Sequence, residues 1–288
     1  MALSDLVHFR NLEKCYTSLE SKLGYAIILG GARHHGYYNG PTSSPFPISK
    51  ALRAMEDHLF NSLHLGQDAL VLDAGCGTGE VAISLAKHGL IIRGIDILDY
   101  HLQKAQENIR ARRLENVITV QRMDYHDLSA FTNCSFDGVF TMETFVHAKD
   151  PEKALGEFIR VLRPGGSIAL YEYEHLDPNT APLDLRESWE KINRTGAMPA
   201  FTRFDKGVLL KLLEDAGFQE VSVTDLSMNV RPMTRLFYMM AYLPWFFIRF
   251  LGLERSFFNT MVGIKAWRGR QYWKYIAVTA RKPRNDQK

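Results

Sequence analysis

The chain has 288 residues, with 35 Lys and Arg against 32 Asp and Glu, a formal net charge of +3 and 46% hydrophobic residues. That balance argues against binding nucleic acid through bulk positive charge, and it leaves enough apolar residues for a large core. Three cysteines, Cys15, Cys76 and Cys134, provide no disulfide framework, so a cytoplasmic, reducing setting is expected.

The N-terminus has no basic stretch followed by an apolar run, and no secretory signal is expected. Residues 1–60 read as helices around one interruption, GGARHHGYYNGPTSSPFP, whose Gly, Pro and Ser content makes it a loop. ISKALRAMEDHLFNSL has helical spacing and leads into the first strand, ALVLDAG. EVAISLAKHG follows as a helix stopped by Gly89. LIIRGID, VITVQRMD, FDGVFTMET and SIALYEYE read as the next four strands. YHLQKAQENIRARR and DPEKALGEFIRVLRPGG read as helices between them, the second ending in a Pro-Gly-Gly turn. The last third adds a helix, DKGVLLKLLEDAGF, and two strands, EVSVTDL and YWKYIAVTARKP. Alternation of this kind predicts a doubly wound, mostly parallel seven-stranded sheet. LFYMMAYLPWFFIRFLGL, residues 236–253, is long enough to span a bilayer. Pro244 interrupts it and Arg249 charges its end, so a buried helix, or one resting on a membrane surface, is expected instead.

The informative stretch is LDAGCGTGEVAISLAKHGLIIRGID, from Leu72 to Asp96. Gly75, Gly77 and Gly79 stand at alternate positions after the first strand, and Asp96 ends the second. Open α/β sheets bind ligands beyond the carboxyl ends of their strands, and an acid ending the second strand can accept from ribose hydroxyls. Glycine lets a ligand approach the backbone closely. Dinucleotide folds use G-x-G-x-x-G with a helix N-terminus aimed at pyrophosphate. Here the spacing is G-x-G-x-G and Asp73 precedes it. A carboxylate there repels pyrophosphate and favours a cation, such as the ammonium of an amino acid. S-adenosyl-L-methionine combines adenosine, a sulfonium and an α-amino acid.

VLDAGCGTGEVAISLAKHG…GIDI, with the later VLRPGG, resembles the signature of class I S-adenosylmethionine-dependent methyltransferases. The resemblance implies their Rossmann-like fold, with an N-terminal helical lid over 1–60, a cofactor core over 61–180, and a substrate cap with the last strands over 181–288. It places Asp73, Gly75, Cys76, Gly77 and Gly79 beside the methionine part and ribose, and Asp96 on the ribose hydroxyls. Ile97, Met123, Asp124 and Tyr125 then flank the adenine, and Glu143 turns toward the methyl group. METFVHAKDPEKAL, YEYEHLDP and FDKGVLLKLLEDAGFQEV resemble the sterol 24-C-methyltransferase group, and HHGYYNG the tocopherol methyltransferases. The aromatic-Gly-Trp-Gly-aromatic stretch of sterol enzymes is replaced by ILGGARHHGYYNG.

These features predict a methyltransferase acting at carbon or oxygen of a lipophilic small molecule: terpenoid, meroterpenoid, sterol-like or polyketide. N-methylation of a small natural product, or a rearrangement without methyl transfer, are the alternatives. His35, Glu143 and His147 are the candidate catalytic groups, because proton transfer near neutral pH needs imidazole or carboxylate. His34, Tyr37, Tyr38, Glu172, Trp189, Phe201, Tyr238 and Trp245 are the expected substrate contacts, most of them in an aromatic-rich cap. No paired-Cys or H-E-x-x-H motif suggests a metal. Strand four ends in TMETF rather than the segment of amino-directed DNA methyltransferases, so no nucleic acid partner is expected. A monomer or homodimer is expected.

Overall fold

The computed structural model describes residues 3–40, 44–253 and 257–284. Three helices come first: α1 (Leu3–Thr17), α2 (Leu19–Leu29) and α3 (Ile48–Leu63). The alternating region follows as β1 (Leu70–Ala74), α4 (Glu80–Lys87), β2 (Ile91–Asp96), α5 (Asp99–Ala111), β3 (Ile118–Arg122), β4 (Phe136–Met142), α6 (Pro151–Val161) and β5 (Leu162–His175). Then come α7 (Leu183–Thr195), α8 (Val208–Asp215), β6 (Gln219–Asp225), α9 (Ser227–Phe250), α10 (Phe258–Arg268) and β7 (Trp273–Arg281). The seven strands form one sheet in the order β3-β2-β1-β4-β5-β7-β6, with β7 antiparallel to both of its neighbours.

Both faces of the sheet are covered, which is why the central strands read as near-continuous apolar runs. One face packs Phe136, Phe145, Phe158 and Phe204 with α6 and α8. The other packs Leu59, Leu63, Leu85, Tyr171 and Tyr275 with α3, α4 and α5. Each such side chain, fully buried, contributes about 1.5–3 kcal/mol. Local chemistry sets the helix ends. Asp150 caps α6 by accepting from the Lys153 N–H at 2.9 Å, and Pro151 opens the helix. Gly79 (φ 78°) starts α4 in a left-handed conformation.

Two boundaries differ from expectation. The Pro-Gly-Gly turn lies inside the opening of β5, which begins at Leu162 and shifts register opposite Phe136 and Gly138. Residues 236–250 of the apolar run belong to a single helix, α9, that continues through Pro232 and Pro244, and the last three residues of the run lie beyond its end. Among the described residues no helix is long and apolar enough to cross a membrane.

Candidate functional site

The glycine turn is tied to the end of β2. Gly75 and Cys76 N–H groups both donate to the Ile95 carbonyl at 2.9 Å, and Gly77 N–H donates to Asp96 Oδ2 at 2.9 Å. Gly75 needs its left-handed φ of 103°, and a Cβ there would lie 2.6 Å from Thr144 Oγ1. Asp96 also accepts from Leu98 N–H at 2.9 Å and pairs with His101 Nδ1 at 3.1 Å. Burial alone would raise its carboxyl, but His101 and the backbone donors outweigh that and hold it below the ordinary value. Asp73, 2% exposed, has the opposite fate: Oδ2 has no partner, and burial together with the nearby Asp96 pushes the carboxyl well above its ordinary value. These groups line a cavity of about 740 Å³ that Ile97, Met123, Asp124 and Tyr125 also face. Asp124 Oδ1 accepts from His126, through its backbone N–H at 2.9 Å and Nδ1 at 2.5 Å.

A second cavity of about 410 Å³ adjoins the first and is mostly apolar. It lies among α2, α7, α9 and α10, with Trp189, Phe201 and Phe237 in its wall. Tyr16, Arg33, His34, Glu143 and His147 face both cavities and form the partition between them.

In that partition Glu143 is a saturated anion. Its Oε1 accepts from the His35 backbone N–H at 2.7 Å, lies 3.1 Å from His35 Nδ1, and accepts from Tyr275 O–H at 2.9 Å. Its Oε2 accepts from Tyr173 O–H. Burial opposes ionisation, but the adjacent His35 and these donors prevail and hold the carboxyl at about 2. Burial keeps the His147 imidazole below its ordinary value. A carbonyl only accepts, so His147 Nδ1–H donates to Ala197 O at 2.8 Å, and Nε2 accepts from Tyr16 O–H at 3.0 Å. Glu143 and His147 therefore sit as positioning groups. Both were expected among the catalytic groups; here both His147 ring nitrogens are engaged and the Glu143 carboxylate is spent on His35, Tyr173 and Tyr275. His35 alone of the three turns a ring nitrogen away from these partners, with its Nδ1 fixed by Glu143.

The remaining expected contacts divide. His34, Trp189 and Phe201 line the apolar cavity. Gly79 does not line either cavity; it caps α4, where a Cβ would come 3.2 Å from Ala105 Cβ. Tyr37 stacks on His58 at 5.0 Å, and Tyr38 O–H donates to Pro45 O at 2.7 Å, so both secure the loop between α2 and α3. Glu172 lies beneath the site, fully buried, and accepts from Phe145 N–H at 2.5 Å. Tyr238 and Trp245 lie against Trp267 and Arg268 on α10, away from both cavities. Sequence reasoning missed Tyr16, Arg33, Tyr173 and Tyr275. Arg33 lies over the rings of Tyr16 and Tyr25, at 5.0 and 4.6 Å, and its Nε and Nη1 are buried without a partner.

Comparison with known proteins agrees with this architecture. Residues 72–170 match the methyltransferase-domain family. The chain is 41% identical over 280 residues to the S-adenosyl-L-methionine-dependent Diels-Alderase iccD of Talaromyces variabilis, covering 95% of each chain. The chain belongs to the S-adenosyl-L-methionine-dependent methyltransferase family. Another relative, an O-methyltransferase of Pyrenophora dematioidea, is 31% identical over 206 residues, 71% of this chain and 74% of that one. The crystal structure of the [4+2]-cyclase SpnF has the same fold, with a TM-score of 0.76 at 22% identity over 94% of both chains. The residues fit the cofactor of this methyltransferase family. An orphaned, buried carboxylate at Asp73 and two orphaned guanidinium nitrogens at Arg33 both belong to the cavity of the glycine turn. Together they suit the ammonium and carboxylate of an amino acid. A Cβ on Gly77 would meet only Arg33 Cδ, at 3.8 Å, which leaves room beside the turn.

Proposed function

We propose that this protein is an S-adenosyl-L-methionine-dependent pericyclase that folds a linear, lipophilic polyene and closes it by an intramolecular [4+2] cycloaddition. The observation that carries this reading is the 41% identity to a Diels-Alderase along 95% of both chains. That match includes the last third, where the motif resemblance to sterol and tocopherol methyltransferases is weakest. Such a reaction forms two carbon–carbon σ bonds at the expense of two π bonds and gains or loses no atom.

Asp73, Asp96 and Arg33 would hold the cofactor by its ammonium, ribose and carboxylate. When bound, it supplies a permanent sulfonium charge and a transferable methyl group. The chain's own residues supply shape and polarisation. The apolar cavity restricts a flexible polyene to conformers with diene and dienophile in contact. His35, fixed through Nδ1 by Glu143, can donate through its other ring nitrogen to a carbonyl conjugated with the dienophile when the ring is doubly protonated. Donation there withdraws electron density from the alkene and lowers the barrier.

A second reading is favoured by the same pair. A His oriented by a carboxylate is also suited to take a proton from a hydroxyl, and a 31% identical relative is an O-methyltransferase. The two separate cleanly. The full chain is incubated with linear polyenes bearing a conjugated diene and a carbonyl-activated alkene, and with cofactor below the polyene concentration. Pericyclase activity gives a product of unchanged mass, in excess of the cofactor added. Methyl transfer gives a heavier product, limited by the cofactor, with S-adenosylhomocysteine accumulating; that outcome overturns the first reading. His35→Ala should slow cyclisation roughly 10- to 100-fold, the value of one charge-assisted donor, while S-adenosylhomocysteine affinity stays within about twofold.

A further inference from the structure

The 24-residue helix α9 ends in an exposed apolar edge. Met239, Leu243, Phe246, Phe247, Phe250 and Leu251 all face outward there, Phe250 at 81% exposure. Surface hydrophobics are ordinarily scattered singly, and a concentration on successive turns of one helix marks a contact surface.

Charge singles out the occupant. The chain as a whole is nearly balanced. α9 and α10 nevertheless carry Arg231, Arg235, Arg249, Lys265 and Arg268, and neither holds an Asp or Glu. Arg249 and Arg268 both lie over the Trp245 ring, at 5.6 and 4.6 Å from its centroid. Trp beside Arg, next to exposed Phe and Leu, is the chemistry of the boundary between headgroups and acyl chains in an anionic bilayer. A second copy of the chain is a poor occupant, because a two-fold contact would set two helices that carry basic and no acidic residues against their own copies. α9 is not apolar enough to cross a membrane, so the geometry is that of a helix lying on the surface.

The same hairpin forms a wall of the apolar cavity, through Phe237, Met240 and Ala241 of α9 and Phe258, Val262 and Ala266 of α10. Met240 belongs to both surfaces, lining the cavity and standing 45% exposed. We propose that the α9–α10 hairpin docks on an anionic lipid bilayer through Phe246, Phe247 and Phe250, with Arg249 and Arg268 on the headgroups, and that a lipophilic substrate enters the cavity past Met240. This inference does not depend on which reaction the site performs.

The test is sedimentation of the full chain with vesicles of phosphatidylcholine alone or mixed with phosphatidylserine, at low and physiological salt. The chain should sediment with the phosphatidylserine vesicles, more at low salt, and show a blue-shifted tryptophan emission. Phe246→Glu/Phe250→Glu should abolish binding, and Arg249→Ala/Arg268→Ala should weaken it roughly fivefold for each arginine removed. A chain that stays in the supernatant with phosphatidylserine vesicles overturns the proposal. So does undiminished binding by a folded Phe246→Glu/Phe250→Glu variant, or a dimer that this variant splits without any vesicle binding by the parent. Should that variant fail to fold, as judged by its melting curve, the arginine pair and the salt series decide: binding insensitive to both overturns the proposal.

Discussion

Glu143 shows how much of the site is built around a single charge. It is a non-glycine residue at φ 57°, a conformation that the surroundings must impose. What imposes it is the convergence of His35, Tyr173 and Tyr275 on its carboxylate. The carboxyl lies at about 2, below its ordinary 4.5, so ionisation favours the native state. That contribution is complete above about pH 4.5 and is lost as pH falls from there toward 2, and it is on the order of 3 kcal/mol. Glu143→Gln keeps the shape and removes the charge. Urea unfolding of both proteins should show the wild-type advantage shrinking across that acid window, and an advantage independent of pH would mean that Glu143 carries no charge in the native state. Glu143 itself was legible, as an acid at the end of a strand beyond a glycine turn. Its tyrosines were not. Tyr173 and Tyr275 meet because β5 and β7 pair antiparallel in a register that sets one opposite the other, and no local spacing encodes that. Arg33 was hidden for a related reason, since a lone arginine in a Gly- and His-rich loop looks solvated until Tyr16 and Tyr25 enclose it.

Among the elements, the sheet and its flanking helices followed from apolar periodicity and Gly stops, because each buries its own stripe against its neighbour. Of the helices around the apolar cavity, α2 and α9 were legible as helices; α7 and α10 were not read as separate elements, and the mutual arrangement of all four depends on contacts between the two ends of the chain. Glu20 of α2 supplies the clearest of these. It accepts from the backbone N–H groups of Asn259 at 2.8 Å and Thr260 at 2.7 Å, and from Thr260 O–H at 2.6 Å. Those N–H groups open α10 and have no partner within the helix, so a carboxylate from elsewhere caps it and meets the positive end of its dipole. The partners are 239 and 240 residues apart in sequence, beyond any capping-box pattern. Loss of such a cap costs about 1–2 kcal/mol. Glu20→Ala should therefore speed amide exchange roughly 5- to 30-fold in α2 and α10 while β1 and β4 keep their protection. Unchanged exchange in both helices would show that other contacts hold the roof.

For the molecule as a whole, the strap between α2 and α3 lines both cavities, through Arg33 and His34. The strap is wedged: a Cβ on Gly36 would meet Ala51 Cβ at 2.7 Å and Met233 Cε at 2.9 Å, so its backbone lies directly between α3 and α9. Thr78 O–H, in the glycine turn, donates to Gly31 O at 2.9 Å and ties the other end of the strap to the sheet. Between these anchors Arg33 reaches into the partition, held by rings from α1 and α2. An amino-acid carboxylate bound there would join α1 and α2 to the sheet through one side chain, so ligand binding should order those helices as well as the turn. S-adenosylhomocysteine at about a hundred times its Kd should stabilise the fold by about 2.7 kcal/mol, and the slowing of amide exchange should extend into α1 and α2. Arg33→Ala should weaken that affinity roughly 10- to 150-fold, the range for a charge-assisted hydrogen bond, and should confine the remaining protection to β1, β2 and the glycine turn. Arg33→Lys should recover little, because an ammonium cannot reproduce two fixed N–H donors while packing flat between two rings. If Arg33→Ala binds as tightly as the parent and still protects α1 and α2, the coupling runs through the Thr78–Gly31 tie instead, and Arg33 belongs to the substrate side of the partition.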